Sequence, residues 1–199
     1  MKKIDSLKHL VGIVMLVLLI TIAIYIVLVL KPKNDKSKFL SEEEKIKYGY
    51  VLYERDTDIY REIFNELKLE LNNDSIDYEK YAEYISKLFI IDLYTLNNKV
   101  SKDDVGGIQF VMNDIKDNYL LNVSDTMYKY INEDGIELPE VSSIELLDIN
   151  SYKYSINNKE YDGYEVNLKW DYKKDLGYDS EGIVYVIKDE DELFIVEKK

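Results

Sequence analysis

The sequence contains no cysteine, one histidine and two prolines among its 199 residues. Without cysteine the chain can form neither disulfides nor thiolate metal sites, so cysteine usage does not indicate a redox compartment. The one histidine, His9, precedes the predicted globular domain. This excludes Ser-His-Asp triads, Cys-His pairs and histidine-ligated zinc within that domain. An enzyme built from this chain would have to use carboxylates or tyrosines as its acid and base.

Charge is also absent from one long segment, because residues 10–30 contain no ionisable acidic or basic side chain. As a helix this segment is about 30 Å long, which matches the hydrocarbon thickness of a bilayer. A cleaved signal peptide would have a shorter apolar stretch and a small-residue cleavage site, whereas Lys31 and Pro32 follow this one directly. We predict a tail at 1–9, a transmembrane helix at 10–30 in contact with the lipid bilayer, a polar stem at 31–40 and one domain at 41–199.

The charge balance bears on the orientation of this predicted span. Lysines flank it on both sides, so the positive-inside rule is nearly balanced. From residue 39 onward 19 basic residues stand against 37 acidic ones, a formal charge of −18. The anionic cytoplasmic leaflet would repel such a domain. We therefore predict a single-pass protein of the cell membrane with a cytoplasmic N-terminus and an extracytoplasmic domain, and a cytosolic acidic adaptor is the alternative. The acidity also argues against a nucleic-acid partner.

Hydrophobic spacing predicts helices from residue 41 to about 132. The triplet 56–58 is suited to cap a helix that ends at 72–74, and a second helix is predicted at 77–96. The second half of that helix is apolar nearly all round, which is typical of a helix at the centre of a fold. Residues 46–52 alternate and fit either a strand or a helix.

Gly106 and Gly107 are predicted to form a joint with unusual backbone angles. They lack the lysine and the spacing of a phosphate-binding loop. After this joint, residues 108–119 keep a helical period, which predicts a third helix, and a further short helix is predicted through Ile131.

From residue 142 to 197 the hydrophobic period changes to two, which predicts four strands in hairpins. A change of phase between Leu146 and Ile149 indicates a bulge near Asp148. The first hairpin is predicted to turn at Asn157–Asn158 and not at Asp162–Gly163, because the second choice places polar residues against an apolar face. That arrangement is expected to bring Tyr152 and Tyr154 near Val166 and Tyr164.

Helices followed by an antiparallel meander predict an α+β fold with about three helices on one face of a curved four-stranded sheet. This element order, behind an N-terminal anchor, resembles the NTF2-like superfamily and, within it, the membrane-tethered VirB8/TcpC-like domains of conjugation machinery. The resemblance covers residues 39–199 and implies assembly with other envelope proteins. The stretches 88–96 and 103–107 also resemble uncharacterised anchored proteins of low-GC Gram-positive bacteria, which carry no assigned reaction.

Asp92 is the candidate for acid or base chemistry, because it lies in the most apolar segment of the domain and desolvation would raise its pKa. In an NTF2-like cone it would line a small-molecule pocket together with Ile91 and Tyr94. The alternative is a structural role, in which Asp92 lies at the helix rim or accepts a tyrosine hydroxyl. No catalytic residue other than Asp92 is a candidate, and no cofactor is expected.

The strand aromatics Tyr164, Trp170 and Tyr172 are candidates for a protein interface, with burial under the helices as the alternative. The acidic clusters at 171–181 and 189–192 lack EF-hand spacing, so we expect solvated loops and no metal site. Two functions remain open at this point. One is a non-enzymatic protein-binding or assembly module of the cell envelope, which binds an envelope partner or itself. The other is a small-molecule or acid/base pocket that uses Asp92.

Overall fold

The structure is a computed structural model that describes residues 41–131, 133 and 135–199. Within these residues the fold is α+β, with three α-helices, a two-stranded sheet and a four-stranded antiparallel sheet. The predicted tail, transmembrane helix and stem at 1–9, 10–30 and 31–40 lie outside the described residues. None of the helices between residues 41 and 199 combines the length and apolar character that a membrane span requires.

The elements follow the predicted order of helices before sheet, apart from a first hairpin. They are β1 (Glu42–Lys45), β2 (Val51–Tyr53), α1 (Asp58–Leu71), α2 (Tyr78–Tyr94), α3 (Lys116–Asp125), β3 (Val141–Ile156), β4 (Lys159–Tyr172), β5 (Glu181–Asp189) and β6 (Glu192–Lys198). Between β1 and β2 the chain reverses through Tyr48 and Gly49, which both have positive φ. Neither alternative holds for the whole of residues 46–52, because Lys47–Gly49 form a 3₁₀ turn and only the last residues belong to β2, which pairs with β1.

The first helix begins at its predicted capping triplet, and the second begins at its predicted start. Thr57 is the N-cap of α1 and its hydroxyl accepts a hydrogen bond from the Tyr60 N–H. Asp77 caps α2 by accepting hydrogen bonds from the Glu79 and Lys80 N–H groups. Helix α2 contacts α1 and all four strands of the larger sheet, and its residues 88–91 are buried. The predicted central helix is therefore confirmed.

The predicted third helix from Ile108 is wrong. The chain forms short 3₁₀ turns at Ile108–Phe110 and Asn113–Ile115, and α3 begins only at Lys116. Between the two turns the backbone is extended, because Val111 forms a parallel bridge to Ile195 and the Met112 N–H donates to the Ile195 carbonyl at 3.1 Å. Pairing with β6 thus overrides the helical spacing. The further helix through Ile131 is also wrong, since α3 ends at Asp125 and turns follow it.

The four-stranded sheet has the order β3-β4-β5-β6, as a meander of hairpins. The turn at Asn157–Asn158 is confirmed, with φ of 50° and 64° at these two residues and with Ile156 opposite Lys159. The predicted bulge is confirmed as well, because the register shifts between Leu146 and Asp148.

The register set by the two-residue turn corrects the predicted neighbours of the strand tyrosines. Tyr152 pairs with Gly163 and Tyr154 pairs with Tyr161, and neither is opposite Val166 or Tyr164. One inserted residue moves every later side chain to the other face of the sheet. The helix-facing side, which we call the inner face, carries Ile144, Leu146 and Ile149 of β3 opposite Trp170, Leu168 and Val166 of β4.

The opposite side of the sheet, which we call the outer face, has an apolar cluster of its own. Met112, Tyr161 and Ile187 are buried there. Partly buried neighbours complete this cluster, namely Ile115, Tyr154, Ile156, Phe194 and Val196. Near the β3–β4 turn, the larger sheet therefore carries apolar side chains on both faces.

Two leucines of α1 test the assignment of its buried side. Leu67 is 0% exposed and Leu69 is 69% exposed. We expect Leu67→Ala to lower the free energy of unfolding by about 2–5 kcal/mol, because it leaves a cavity in the core. The matched variant Leu69→Ala should change it by less than about 0.5 kcal/mol. Urea unfolding of the full chain in detergent, followed by the fluorescence of its single tryptophan, measures both. Equal losses for the two variants would contradict the fold.

Candidate functional site

Asp92 lies in the last full turn of α2, and both of its carboxylate oxygens are occupied. One oxygen forms an ion pair with the Lys99 ammonium, whose side chain is 0% exposed. The other oxygen accepts a hydrogen bond from the Gly107 N–H at 2.6 Å. A carboxylate with both oxygens engaged by its own chain is placed to hold the following loop against the helix.

Two glycines allow this close approach of the loop to α2. A Cβ on Gly106 would lie 2.0 Å from the Asp92 carbonyl oxygen. Gly107 has a φ of +74°, and a Cβ there would lie 2.5 Å from the Phe89 ring. The predicted joint with unusual backbone angles is therefore confirmed at Gly107. Any other residue at these two positions would separate the loop from the helix.

The buried Tyr128 and the partly buried Tyr119 fix the same joint from the other side. The Tyr119 hydroxyl donates to the Gly106 carbonyl at 2.6 Å, and the Tyr128 hydroxyl accepts from the Gly106 N–H at 3.1 Å. The Tyr128 hydroxyl also donates to the Leu93 carbonyl at 2.8 Å. Burial raises the pKa of both tyrosines well above their usual value. These hydroxyls therefore stay protonated, as structural donors require.

A second buried ion pair closes the far end of this loop. Arg55, just after β2, binds both carboxylate oxygens of Asp104, and Asp104 also accepts from the Val100 N–H at 3.0 Å. Burial alone would raise the pKa of Asp104, but the hydrogen bonds from Arg55 and Val100 outweigh it, and the pKa is lowered. We call Arg55, Asp56, Asp92, Lys99 and Asp104 the buried charge network.

Asp56 is the member of the network without a cation bound to it in the described residues. Its carboxylate accepts from the Tyr53 N–H at 2.8 Å. Burial, together with the nearby charge of Asp92, raises the pKa of Asp56 to about 6. This carboxyl therefore changes charge near neutral pH, and neither its burial nor its partners could be read from the sequence.

The other residues of the predicted pocket lie in the core. Ile91 is buried, and the Tyr94 ring packs against Trp170 with 5.2 Å between the ring centroids. The hydroxyl of Tyr94 bridges to Asp179 and Lys198. The principal grooves of the described surface are lined by other residues. The space between helices and sheet is filled by large buried side chains, among them Phe64, Phe89, Phe110 and Trp170.

One mostly apolar groove of about 220 Å³ lies between α2, α3 and β6. Phe89, Tyr119 and Ile195 lie along it, and Glu197 and Lys198 also line it. It is smaller than the usual pocket for a drug-sized ligand. Asp92 is not among the residues that line it.

The predicted interface residues lie on the inner face of the sheet, which corrects their assignment. Trp170 is 1% exposed, so it is a core residue and not a contact residue. Its indole N–H donates to the Tyr172 hydroxyl at 2.8 Å, and this hydroxyl donates to the Asp179 carbonyl. Tyr164 and Tyr172 are partly buried against the same core. In the structure these three aromatic side chains lie under the helices, which is the alternative that the sequence analysis gave for them.

A different set of tyrosines is presented on the outer face. Tyr152, Tyr154 and Tyr185 pack together, with ring centroids 5.1 Å apart for Tyr152–Tyr185 and 6.0 Å apart for Tyr154–Tyr185. Tyr154 donates to Glu197 at 2.8 Å, while Tyr152 is 41% exposed. We call these three residues the tyrosine cluster. The sequence signal for it is the phase change at the bulge, which turns Tyr152 and Tyr154 outward.

Acidic side chains of the sheet loops bind nearby lysines and backbone groups. Asp179 pairs with Lys198, Asp189 pairs with Lys159, and Asp175 accepts from the Gly177 N–H. Within residues 41–131, 133 and 135–199, no three histidine, cysteine or acidic side chains are grouped as a metal site requires.

No protein-family model, no curated protein and no solved structure matches this chain. What can be said of its function therefore rests on the sequence and on the geometry described above.

A double-mutant cycle tests the structural role of Asp92. We expect Lys99→Met to lower the free energy of unfolding by about 3–5 kcal/mol, because it leaves a buried carboxylate without its cation. The double variant Asp92→Asn/Lys99→Met should recover much of that loss, since the buried charges then disappear together. Urea unfolding of the wild type, Asp92→Asn, Lys99→Met and the double variant measures the coupling. Strictly additive losses would contradict a structural ion pair.

The raised pKa of Asp56 predicts a pH dependence of stability. Because its folded pKa of about 6 exceeds the ordinary aspartate value of 3.8, folding takes up a proton between these two pH values. The contribution of Asp56 to stability is complete below about pH 4 and is lost as the pH rises through about 6.

We therefore expect Asp56→Asn to gain roughly 2–3 kcal/mol of stability relative to the wild type between about pH 4 and about pH 7. The asparagine side chain keeps an acceptor for the Tyr53 N–H. Urea unfolding at several pH values measures the gain, and Glu54→Gln, on an exposed neighbour, controls for the loss of one negative charge. A difference that does not vary with pH would refute the assignment.

Proposed function

We propose that this chain is a single-pass membrane protein whose acidic extracytoplasmic domain is a non-enzymatic protein-binding or assembly module of the cell envelope. Residues 10–30 would anchor it in the lipid bilayer, with the N-terminus in the cytoplasm. The uncharged sequence of that segment and the formal charge of −18 from residue 39 onward support this arrangement.

The observation that carries the proposal is the tyrosine cluster on the outer face. Exposed aromatic side chains are enriched at protein interfaces, because they offer a large contact area at low entropic cost. Tyr152 is 41% exposed and rests on the buried ring of Tyr185 and the partly buried ring of Tyr154, so it is held in place before a partner arrives. Leu147, at the bulge of the same strand, is 48% exposed. These residues favour protein binding at the β3 side of the sheet.

The geometry of Asp92 supports a binding function over acid/base catalysis. A general base must lie within hydrogen-bond reach of its substrate. In this domain one oxygen of Asp92 pairs with the Lys99 ammonium, the other accepts from the Gly107 N–H, and Asp92 does not line the apolar groove between α2, α3 and β6. The alternative function, a small-molecule pocket that uses Asp92, is therefore not supported by a matching cavity.

The proposal extends to an NTF2-like fold of the VirB8/TcpC-like kind. Support comes from the order of elements, with three helices before a four-stranded antiparallel meander and with α2 packed across all four strands. This likeness adds an expectation of assembly with envelope proteins or with a second copy.

Site-specific photo-crosslinking tests the proposal. A photoreactive phenylalanine analogue placed at Tyr152 in the full chain should give a discrete adduct on irradiation of source-cell membranes. The same analogue at Leu69, which is more exposed but lies on α1, should give none. An adduct of twice the mass indicates self-assembly, and any other mass indicates an envelope partner. If position 152 gives no adduct and the chain is monomeric in mild detergent, the proposed function is wrong.

A further inference from the structure

The outermost strand β3 has one unpaired edge. It lies first in the order β3-β4-β5-β6 and pairs only with β4 among the described residues. Its sixteen residues make it the longest strand of the sheet, and most of them are exposed. A free edge carries unpaired N–H and C=O groups that can bind another extended chain.

The hairpin turn determines which backbone groups face this edge. A two-residue turn places Ile156 and Lys159 in a hydrogen-bonded pair, and pairing then alternates along the strands. The backbone groups of Ile149, Ser151, Lys153 and Ser155 consequently point away from β4. The Trp170 N–H on β4 donates to the Ser180 carbonyl, on the side of β5. This agrees with the alternation, which turns the backbone groups of even-numbered β4 residues away from β3.

Common protections against edge pairing are limited in this half of the strand. The bulge at Leu147 interrupts the edge only on its N-terminal side. The one lysine, Lys153, is engaged in its own hairpin, with its ammonium 2.7 Å from Glu160 and 3.8 Å from Asp162. Seven consecutive residues, 149–155, therefore remain available for a ladder of backbone hydrogen bonds.

The charges around the edge indicate what kind of chain it binds. Asp148 and Glu165 lie on the outer face, since they pair with or neighbour Asn167 and Tyr185, and neither forms an ion pair within the described residues. Tyr152, which pairs with Gly163, lies diagonally across from Glu165 and has an exposed ring. Carboxylates next to an aromatic ring bind lysine and arginine side chains well. A second copy of this domain also has a formal charge of −18, so the two copies would repel each other.

We propose that residues Ile149–Ser155 of β3 bind an extended, basic segment of a partner protein as a fifth strand of the sheet. Backbone hydrogen bonds to Ile149, Ser151, Lys153 and Ser155 supply the pairing. Alternate basic side chains of the partner lie over Asp148, Glu165 and Tyr152 on the outer face. This inference rests on the proposed protein-binding function and names the chemistry of its partner.

A peptide of ten residues that alternates lysine and valine is the probe, and fluorescence anisotropy with the full chain in detergent is the measurement. We expect it to bind, while the matched glutamate–valine peptide does not. Methylation of the lysine peptide's alternate backbone nitrogens should weaken binding by about tenfold or more, because it removes the ladder donors. Equal binding of the methylated peptide would overturn the inference, and this comparison uses the unmodified protein.

Two variants of one residue separate backbone pairing from general attraction between opposite charges. Ser151→Pro removes an N–H that points to the free edge and leaves the β3–β4 ladder intact, so it should weaken lysine–valine peptide binding by about tenfold. Ser151→Val keeps that N–H and should retain binding within about threefold. Unchanged tryptophan fluorescence confirms that both variants fold. Equal binding by the two variants contradicts edge pairing.

The outcomes distinguish this inference from the proposed function. A crosslink at position 152 that persists in Ser151→Pro keeps the proposed function and rejects the β3 edge as the binding element. Pairing of β3 with a second copy of itself, seen as a dimer that Ser151→Pro dissolves, rejects the basic partner. Loss of the crosslink together with loss of peptide binding in Ser151→Pro supports both.

Discussion

The ion pair between Asp92 and Lys99 is the constraint on which the helical half of this domain depends. It lies between α2, which contacts every strand of the larger sheet, and the loop that leaves this helix. The cost of burying two charges is offset only when their remaining donors and acceptors are also satisfied. Here Gly107 supplies the second donor to Asp92, and Gly106 is held by two tyrosine hydroxyls. Helix, loop and the two tyrosine-bearing segments are thereby joined into one polar network inside an apolar core.

This network also explains why an acidic residue in the most apolar part of the chain is not a sign of catalysis. Perturbed carboxylates in clefts are good candidates for functional sites, but structural ion pairs use the same residues. The distinction depends on where the oxygens point. For Asp92 they point to a lysine and a backbone N–H, and the surrounding space is filled by aromatic side chains.

The sheet shows how one inserted residue moves a possible function from one surface to another. Before the bulge, Ile144 and Leu146 face the helices, and after it Tyr152 and Tyr154 face the opposite side. The inner face therefore keeps Trp170 and its aromatic neighbours in the core, while the outer face presents the tyrosine cluster. The acidic side chains that flank β3 add a charge preference to that surface. Binding at this sheet would thus combine aromatic contact, backbone pairing and electrostatic attraction.

The sequence by itself determined the features that depend on local chemistry. The helix cap at Thr57 follows from the conformation that this residue favours, and the turn at Asn157–Asn158 and the bulge before Asp148 follow from the alternation of apolar residues along the strands. The α+β order follows from a change of hydrophobic period. The spacing of apolar residues also predicted a helix at 108–119. In the structure, Val111 and Met112 pair with β6 and are extended instead.

Only the tertiary structure decided the role of Asp92, the core position of Trp170 and the raised pKa of Asp56. Each of these depends on residues far apart in the chain that approach each other once the core has formed. Periodicity reports which side of an element is apolar, but it does not report what lies against that side. Whether a side chain packs in the core or contacts solvent is therefore decided only when the sheet and the helices have assembled.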